Sequence, residues 1–186
     1  PQDVSISNVR QILFAGGKWV GNYISPELEV PEAHRAVLMQ VGAYARDHGH
    51  VADEGINCGI DYFVSGDEVI VTEINARWTG GLFPAEFLRR LAITQPAVAF
   101  FDMVPVAQSK AVQTFQREHL FPAAGDAFAY VPMGFTPFAM EIEGAERYFV
   151  WQIVVGDFAA FVEAKRQTLP EDTFPTAELI LQEALS

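Results

Sequence analysis

Four polar residues stand in two largely apolar runs: Asp61 within Gly59-Ile60-Asp61-Tyr62-Phe63, and Glu73, Asn75 and Arg77 within the run that opens at Val71. Glu73, Asn75 and Arg77 stand two apart, so strand alternation predicts all three side chains on one face. Charged groups in an apolar strand call for a partner or a ligand, because an unpaired buried carboxylate is costly. Asp61 joins that face if it lies opposite Glu73. A three-residue loop, Gly66-Asp67-Glu68, gives this register and brings the two Cβ atoms to about 4.5–5.5 Å. A two-residue turn sets Asp61 opposite Thr72 and sends Glu73 to the other face, unless a bulge intervenes. In the first register, two carboxylates and an amide oxygen form a hard, oxygen-only set suited to Mg2+ and poorly matched to zinc. Arg77 can offer forked donors to a phosphate or acyl-phosphate oxygen. The chemistry suggested is phosphoryl transfer, with metal ions bridging nucleotide phosphates. A cross-strand salt-bridge ladder is the plain alternative for the same residues.

The run GIDYF, followed by EINAR with Glu73 twelve residues after Asp61, resembles the carboxy-terminal half of the ATP-grasp fold. With RQILFAGGKWVGNYISP ahead of a helix, and RWTGG and a closing module behind the hairpin, the chain is most similar to pre-ATP-grasp peptide ligases of the pheganomycin type. The similarity is close over residues 10–91 and loose over 92–186. It implies that Asp61, Glu73 and Asn75 ligate Mg2+ (or Mn2+), that Glu73, Asn75, Arg77, Gly80 and Gly81 hold ATP, and that Arg77 is the catalytic residue. The activity implied is an ATP-dependent carboxylate–amine ligase of peptide type, passing through an acyl phosphate, with small-molecule carboxylate and amine substrates. The family's phosphate-contacting lysines have no counterpart here, and neither does its glycine-rich flap unless Gly16-Gly17 serves as a reduced form of it. The amino-terminal ATP-grasp half is therefore expected in the same or another chain, and the opening at Pro1 directly on a strand-like run agrees with sequence preceding it. The isolated chain is expected to be inactive and to bind ATP weakly. The rival from another class is a non-catalytic binding or assembly module that keeps the half-fold and uses residues 96–186 as its interface.

Other chemistry-bearing residues have ordinary explanations. His48 and His50, near Asp47 and Asp53, mimic a metal cluster, but a histidine in a last helical turn complements the helix dipole. Cys58 is the only cysteine and is expected as a small core residue. His34 and His119 receive no role. Thr79-Gly80-Gly81 either presents backbone N–H groups to an anion or turns the chain into a helix at Pro84. Arg10 and Lys18 are expected in surface pairs, and Phe100, Phe101 and Trp151 in the core.

The elements that must position these residues form an α+β chain: an ATP-grasp carboxy-terminal subdomain with an antiparallel sheet and flanking helices over 1–95, and a small α/β module over 96–186. Strands are expected within 4–14 and 18–24 about Ala15-Gly16-Gly17, and a helix from Pro31 to His48 with Val37, Val41, Tyr44 and Ala45 inward and Gly49 closing it. After a turn at Ala52–Gly55, strands at 56–64 and 69–76 make the hairpin. Helices follow at Pro84–Ile93 and 106–120, strands at 127–131, 138–143 and 148–155, and two closing helices capped by Asp157 and Thr176.

Composition narrows the partners. The 186 residues are 50% hydrophobic, enough for a real core, and carry 24 acidic against 12 basic residues, a net charge of −12. With Lys18, Lys110 and Lys165 the only lysines, nucleic acid and anionic membrane surfaces are disfavoured. One cysteine excludes an internal disulfide, and neither an 18-residue apolar span nor a secretory signal is found, so a cytoplasmic, soluble protein is expected. A homodimer is left open.

Overall fold

The computed structural model describes residues 3–51, 57–122 and 125–185; the expected turn at Ala52–Gly55, with Asp53, lies outside them. The chain is α+β and divides into two units, one made of the residues up to Val9 with Glu27–Ala92, the other of Arg10–Pro26 with Ile93 onward. The second begins its last stretch close to the 95/96 boundary expected from sequence. It also takes in the first hairpin, which that boundary had placed elsewhere.

In the second unit, β1 (Gln11–Ala15) and β2 (Lys18–Ile24) join through Gly16-Gly17, both at positive φ, as a two-residue hairpin loop requires. Residues 4–10 lie outside the strand expected of them. β2 then pairs with β5 (Ala97–Pro105), Gly21 opposite Phe100, and this non-local pairing carries the hairpin into the second unit. A 3-10 turn (Val106–Gln108) leads to α3 (Ser109–Glu118), followed by β6 (Phe128–Phe135), β7 (Met140–Ile142) and β8 (Ala145–Gly156). The strand order is β1-β2-β5-β8-β6 with β7 on β8, every strand pair antiparallel, so this unit is α+β and not the α/β module expected.

Alternation along β5 puts Phe100, Asp102 and Val104 on one face, level with Val150, Gln152 and Val154 of β8 and Tyr130 of β6. The core against this face comes from α3, from α4 (Phe158–Thr168), from α5 (Pro175–Leu179) and from a π-helical turn (Ile180–Ala184). Phe161 of α4 is fully buried, its ring centroid 5.5–6.4 Å from those of Phe100, Phe128, Tyr130, Phe158 and Phe174. Phe101 and Trp151, expected in the core, point the other way and stack on each other at 5.5 Å, because odd and even positions of a strand part company. Asp157 caps α4 as expected, its Oδ1 accepting from the Ala160 N–H at 3.0 Å. The last helix differs: it starts at Pro175, one residue before the expected cap Thr176.

In the first unit, α1 (Glu32–Asp47) follows Pro31 and ends at His48-Gly49, with Gly49 at φ +93°. Its buried residues are Leu38 and Ala45; Tyr44 is exposed and stacks on His48, so the inward stripe is rotated from the expected one. β3 (Gly59–Ser65) and β4 (Glu68–Asn75) form a separate two-stranded sheet, and α2 (Leu82–Arg90) buries Leu82, Pro84, Ala85 and Leu88. Glu86 of α2 bonds to Arg89 at 2.7 Å and to Asn8 at 3.0 Å, which holds the amino-terminal segment to this unit.

Candidate metal centre

The β3–β4 hairpin closes through a two-residue loop, Gly66-Asp67, with Ser65 paired to Glu68. This is the two-residue turn of the two alternatives the sequence left open, in which only a bulge can set Asp61 opposite Glu73. Gly66 takes φ +61° at the first loop position, where the II′ type of hairpin turn demands glycine. That turn alone would place Asp61 opposite Thr72. Instead the ladder runs regularly to Tyr62↔Val71, shifts, and resumes at Asp61↔Glu73, with Thr72 left over as a β-bulge.

The bulge has a cause in the sequence. Val69, Val71 and Ile74 of β4 are out of phase with strict alternation, so no regular strand can put all three on one face. With Thr72 extruded, Ile74 falls opposite Ile60, in step with Tyr62↔Val71 and Val64↔Val69. This face meets α1, where the His34 ring stands edge-on to Tyr62 at 6.0 Å. The opposite face receives Asp61↔Glu73 and Gly59↔Asn75. One extra residue therefore sets Asp61, Glu73 and Asn75 on one face.

Of these side chains, Asn75 and Asp61 meet directly. Asn75 is 7% exposed and its Nδ2 points to Asp61 Oδ2 at 3.4 Å, a weak bond longer than the usual span of about 2.7–3.2 Å. The Thr72 hydroxyl donates to the Asp61 carbonyl at 3.1 Å. Glu73 is exposed. Gly59, across from Asn75, has no room for a side chain: a Cβ there would stand 2.6 Å from Thr79 Cγ2 and 3.4 Å from Asn75 Cβ.

Arg77 does not continue the face. β4 ends at Asn75, and the Arg77 N–H folds back to the Asn75 carbonyl at 2.7 Å, a bend that breaks the period of two. Its exposed guanidinium donates from Nη1 to the Trp78 carbonyl at 3.4 Å. Gly80 and Gly81 lead the chain into α2, Gly81 standing immediately before Leu82 with φ −73°. α2 thus begins two residues ahead of Pro84. The histidines near α1 are occupied by backbone: His48 Nδ1 lies 2.8 Å from the Tyr44 carbonyl and His50 Nε2 3.1 Å from that of Asn57, while Asp47 pairs with Arg46 at 2.8 Å. Burial pushes the Cys58 thiol above its ordinary value, which disfavours a nucleophilic thiolate. Arg10 and Lys18 belong to the second unit.

A hard cation suits this donor set, since carboxylate and amide oxygens are what Mg2+ and Mn2+ take, with water or phosphate completing the shell. Asn75 presents its N–H2 to Asp61, so holding a cation requires the amide to turn and offer Oδ1. Among the described residues no group of three or more His, Cys, Asp or Glu is placed to hold a metal, so a site at the hairpin depends on the amide as its third donor. Among them also, no helix is long and apolar enough to cross a membrane. No protein-family model, curated protein or solved structure matches the chain. Sequence reasoning missed Thr72 and Gly59. The phase break between Val71 and Ile74 was the signal for the first; the second depends on Thr79, a contact across a loop that spacing does not reveal.

Proposed function

We propose that this chain is part of a cytoplasmic ATP-dependent carboxylate–amine ligase, and that its β3–β4 hairpin holds Mg2+ (or Mn2+) for the nucleotide. The observation that carries this is the pairing of Asp61 with Glu73 on one hairpin face, with Asn75 bonded to Asp61. The likeness of GIDYF and EINAR to the ATP-grasp pattern supports it. In such a ligase a bound metal supplies charge neutralisation as phosphate moves to a substrate carboxylate. The residues of this chain do the positioning: Asp61 and Glu73 anchor, Asn75 turns its oxygen inward, and Arg77, outside the strand, meets the transferred group or the carboxylate. No side-chain nucleophile is needed, because the substrate carboxylate attacks and the amine displaces phosphate. The amino-terminal half that grips nucleotide belongs to the complete enzyme.

The test uses the complete enzyme with Mg·ATP, a panel of small carboxylates, and hydroxylamine as the trapping nucleophile. Formation of ADP with a hydroxamate is expected, and its loss in both Glu73→Ala and Asn75→Ala. Near-normal turnover in both variants would end the metal assignment.

A further inference from the structure

We propose that Thr72 is the positioning residue of the hairpin site, its hydroxyl fixing the β-bulge that sets Asp61 opposite Glu73; this rests on the metal-binding role proposed above. The turn dictates one register and the carboxylate pair occupies another. The ladder from Ser65↔Glu68 to Tyr62↔Val71 follows the two-residue loop, and continued unbroken it would pair Asp61 with Thr72 and Ile60 with Glu73. Glu73 would then sit on the face that meets α1, among Tyr62 and Val71, and Asn75 would follow it. The shift occurs at Thr72, whose side chain reaches across the strand gap through its 3.1 Å bond to the Asp61 carbonyl. The bond ties the extruded residue to the backbone of a metal-ligand candidate. The Thr72 hydroxyl bonds to the Asp61 backbone and not to a candidate ligand side chain; it acts through register.

Two changes at this position separate register from mere presence. Thr72→Val keeps the shape and removes the hydroxyl. Deleting Thr72 removes the bulge yet leaves Glu73 as the next residue opposite Asp61, in a regular ladder. Thr72→Ser keeps the hydroxyl and serves as the conservative rescue.

The experiment is NMR on the full chain with Mn2+ alone as the probe. Cross-strand backbone NOEs report whether Asp61 faces Glu73 or residue 72, and paramagnetic broadening of the Asp61 and Asn75 amides reports the metal. The wild type, Thr72→Ser and the deletion are expected to show Asp61–Glu73 NOEs and Mn2+ broadening. Thr72→Val is expected to show NOEs from Asp61 to residue 72 and to lose the Mn2+ broadening, because Glu73 and Asn75 then leave the face of Asp61. Retention of the Asp61–Glu73 register and of Mn2+ affinity in Thr72→Val overturns the proposal. Shifted NOEs in Thr72→Val with no Mn2+ broadening in the wild type overturn the metal role itself, and leave Thr72 assigned to register only.

Discussion

Glu73 and Asn75 lie on one strand and differ in surroundings, which separates their expected effects. Glu73 is exposed, so Glu73→Ala should leave stability within about 0.5 kcal/mol of wild type while removing the Mg2+-dependent turnover proposed for the complete protein. Thermal unfolding and turnover measured on one preparation check this pair of outcomes. Gly59 makes a different demand. Alanine there drives a methyl to 2.6 Å from Thr79 Cγ2, and overpacking of this kind costs about 1–3 kcal/mol. A Gly59→Ala chain that unfolds at the wild-type temperature would show that the Thr79 segment yields without cost.

At the scale of elements, the carboxy-terminal helix is held by a residue far from it in sequence. Phe174 precedes α5 in the left-handed region, φ +55°, with no side-chain oxygen to offer. Asp102 of the central strand β5, 1% exposed, takes the role instead, accepting from the Thr176 N–H at 3.0 Å and the Ala177 N–H at 2.9 Å, and from the Met103 N–H at 2.8 Å. Lys165, buried in α4, adds a 2.8 Å bond to Glu178 of α5. Burial raises the Asp102 carboxyl to about 7, against the downward pull of those three backbone donors. The folded chain therefore holds a proton that the unfolded chain releases near pH 4. Stability from this group is fully present at acid pH and declines as pH rises from about 4 through 7, by about 4 kcal/mol. Asp102→Asn should flatten the pH profile of chemical denaturation over that window. An unchanged slope would assign it to other groups.

These elements also show what a sequence discloses. Hairpin β1–β2, helix α1 and the Asp157 cap were legible because each rests on residues within a few positions of one another: Gly16-Gly17, Pro31 with Gly49, and Asp157 with Ala160. The candidate site was legible as residue types and period. Its register was not, because turn length and apolar phase gave conflicting answers that only a bulge at Thr72 reconciles. Arg77 left the expected face for a separate local reason, the bend that stops the strand at Asn75. The cap on α5 was out of reach, since Asp102 stands 74 residues from Thr176 and reads in sequence as a charge stranded in an apolar strand.

At the scale of the molecule, stability of the second unit concentrates in one aromatic cluster. Phe161 meets rings from β5, β6, α4 and the segment before α5, and is wholly buried. Phe161→Ala should cost about 3–5 kcal/mol, read as a shift in the denaturation midpoint. The candidate ligands lie in the other unit, on a two-stranded sheet whose apolar face meets α1. Loss of the aromatic cluster should therefore leave Mn2+ broadening of Asp61 and Asn75 in place under conditions where the chain remains folded. With a net charge of −12, the chain has reason to use a divalent cation wherever it meets phosphate.

The most direct measurement is an electron paramagnetic resonance titration of Mn2+ alone into the chain, repeated for Glu73→Gln and Asn75→Ala. One saturable site in the wild type, lost or strongly weakened in both variants, is the expected result. Equal binding by all three proteins, or no saturable binding by the wild type, would contradict metal binding by the hairpin.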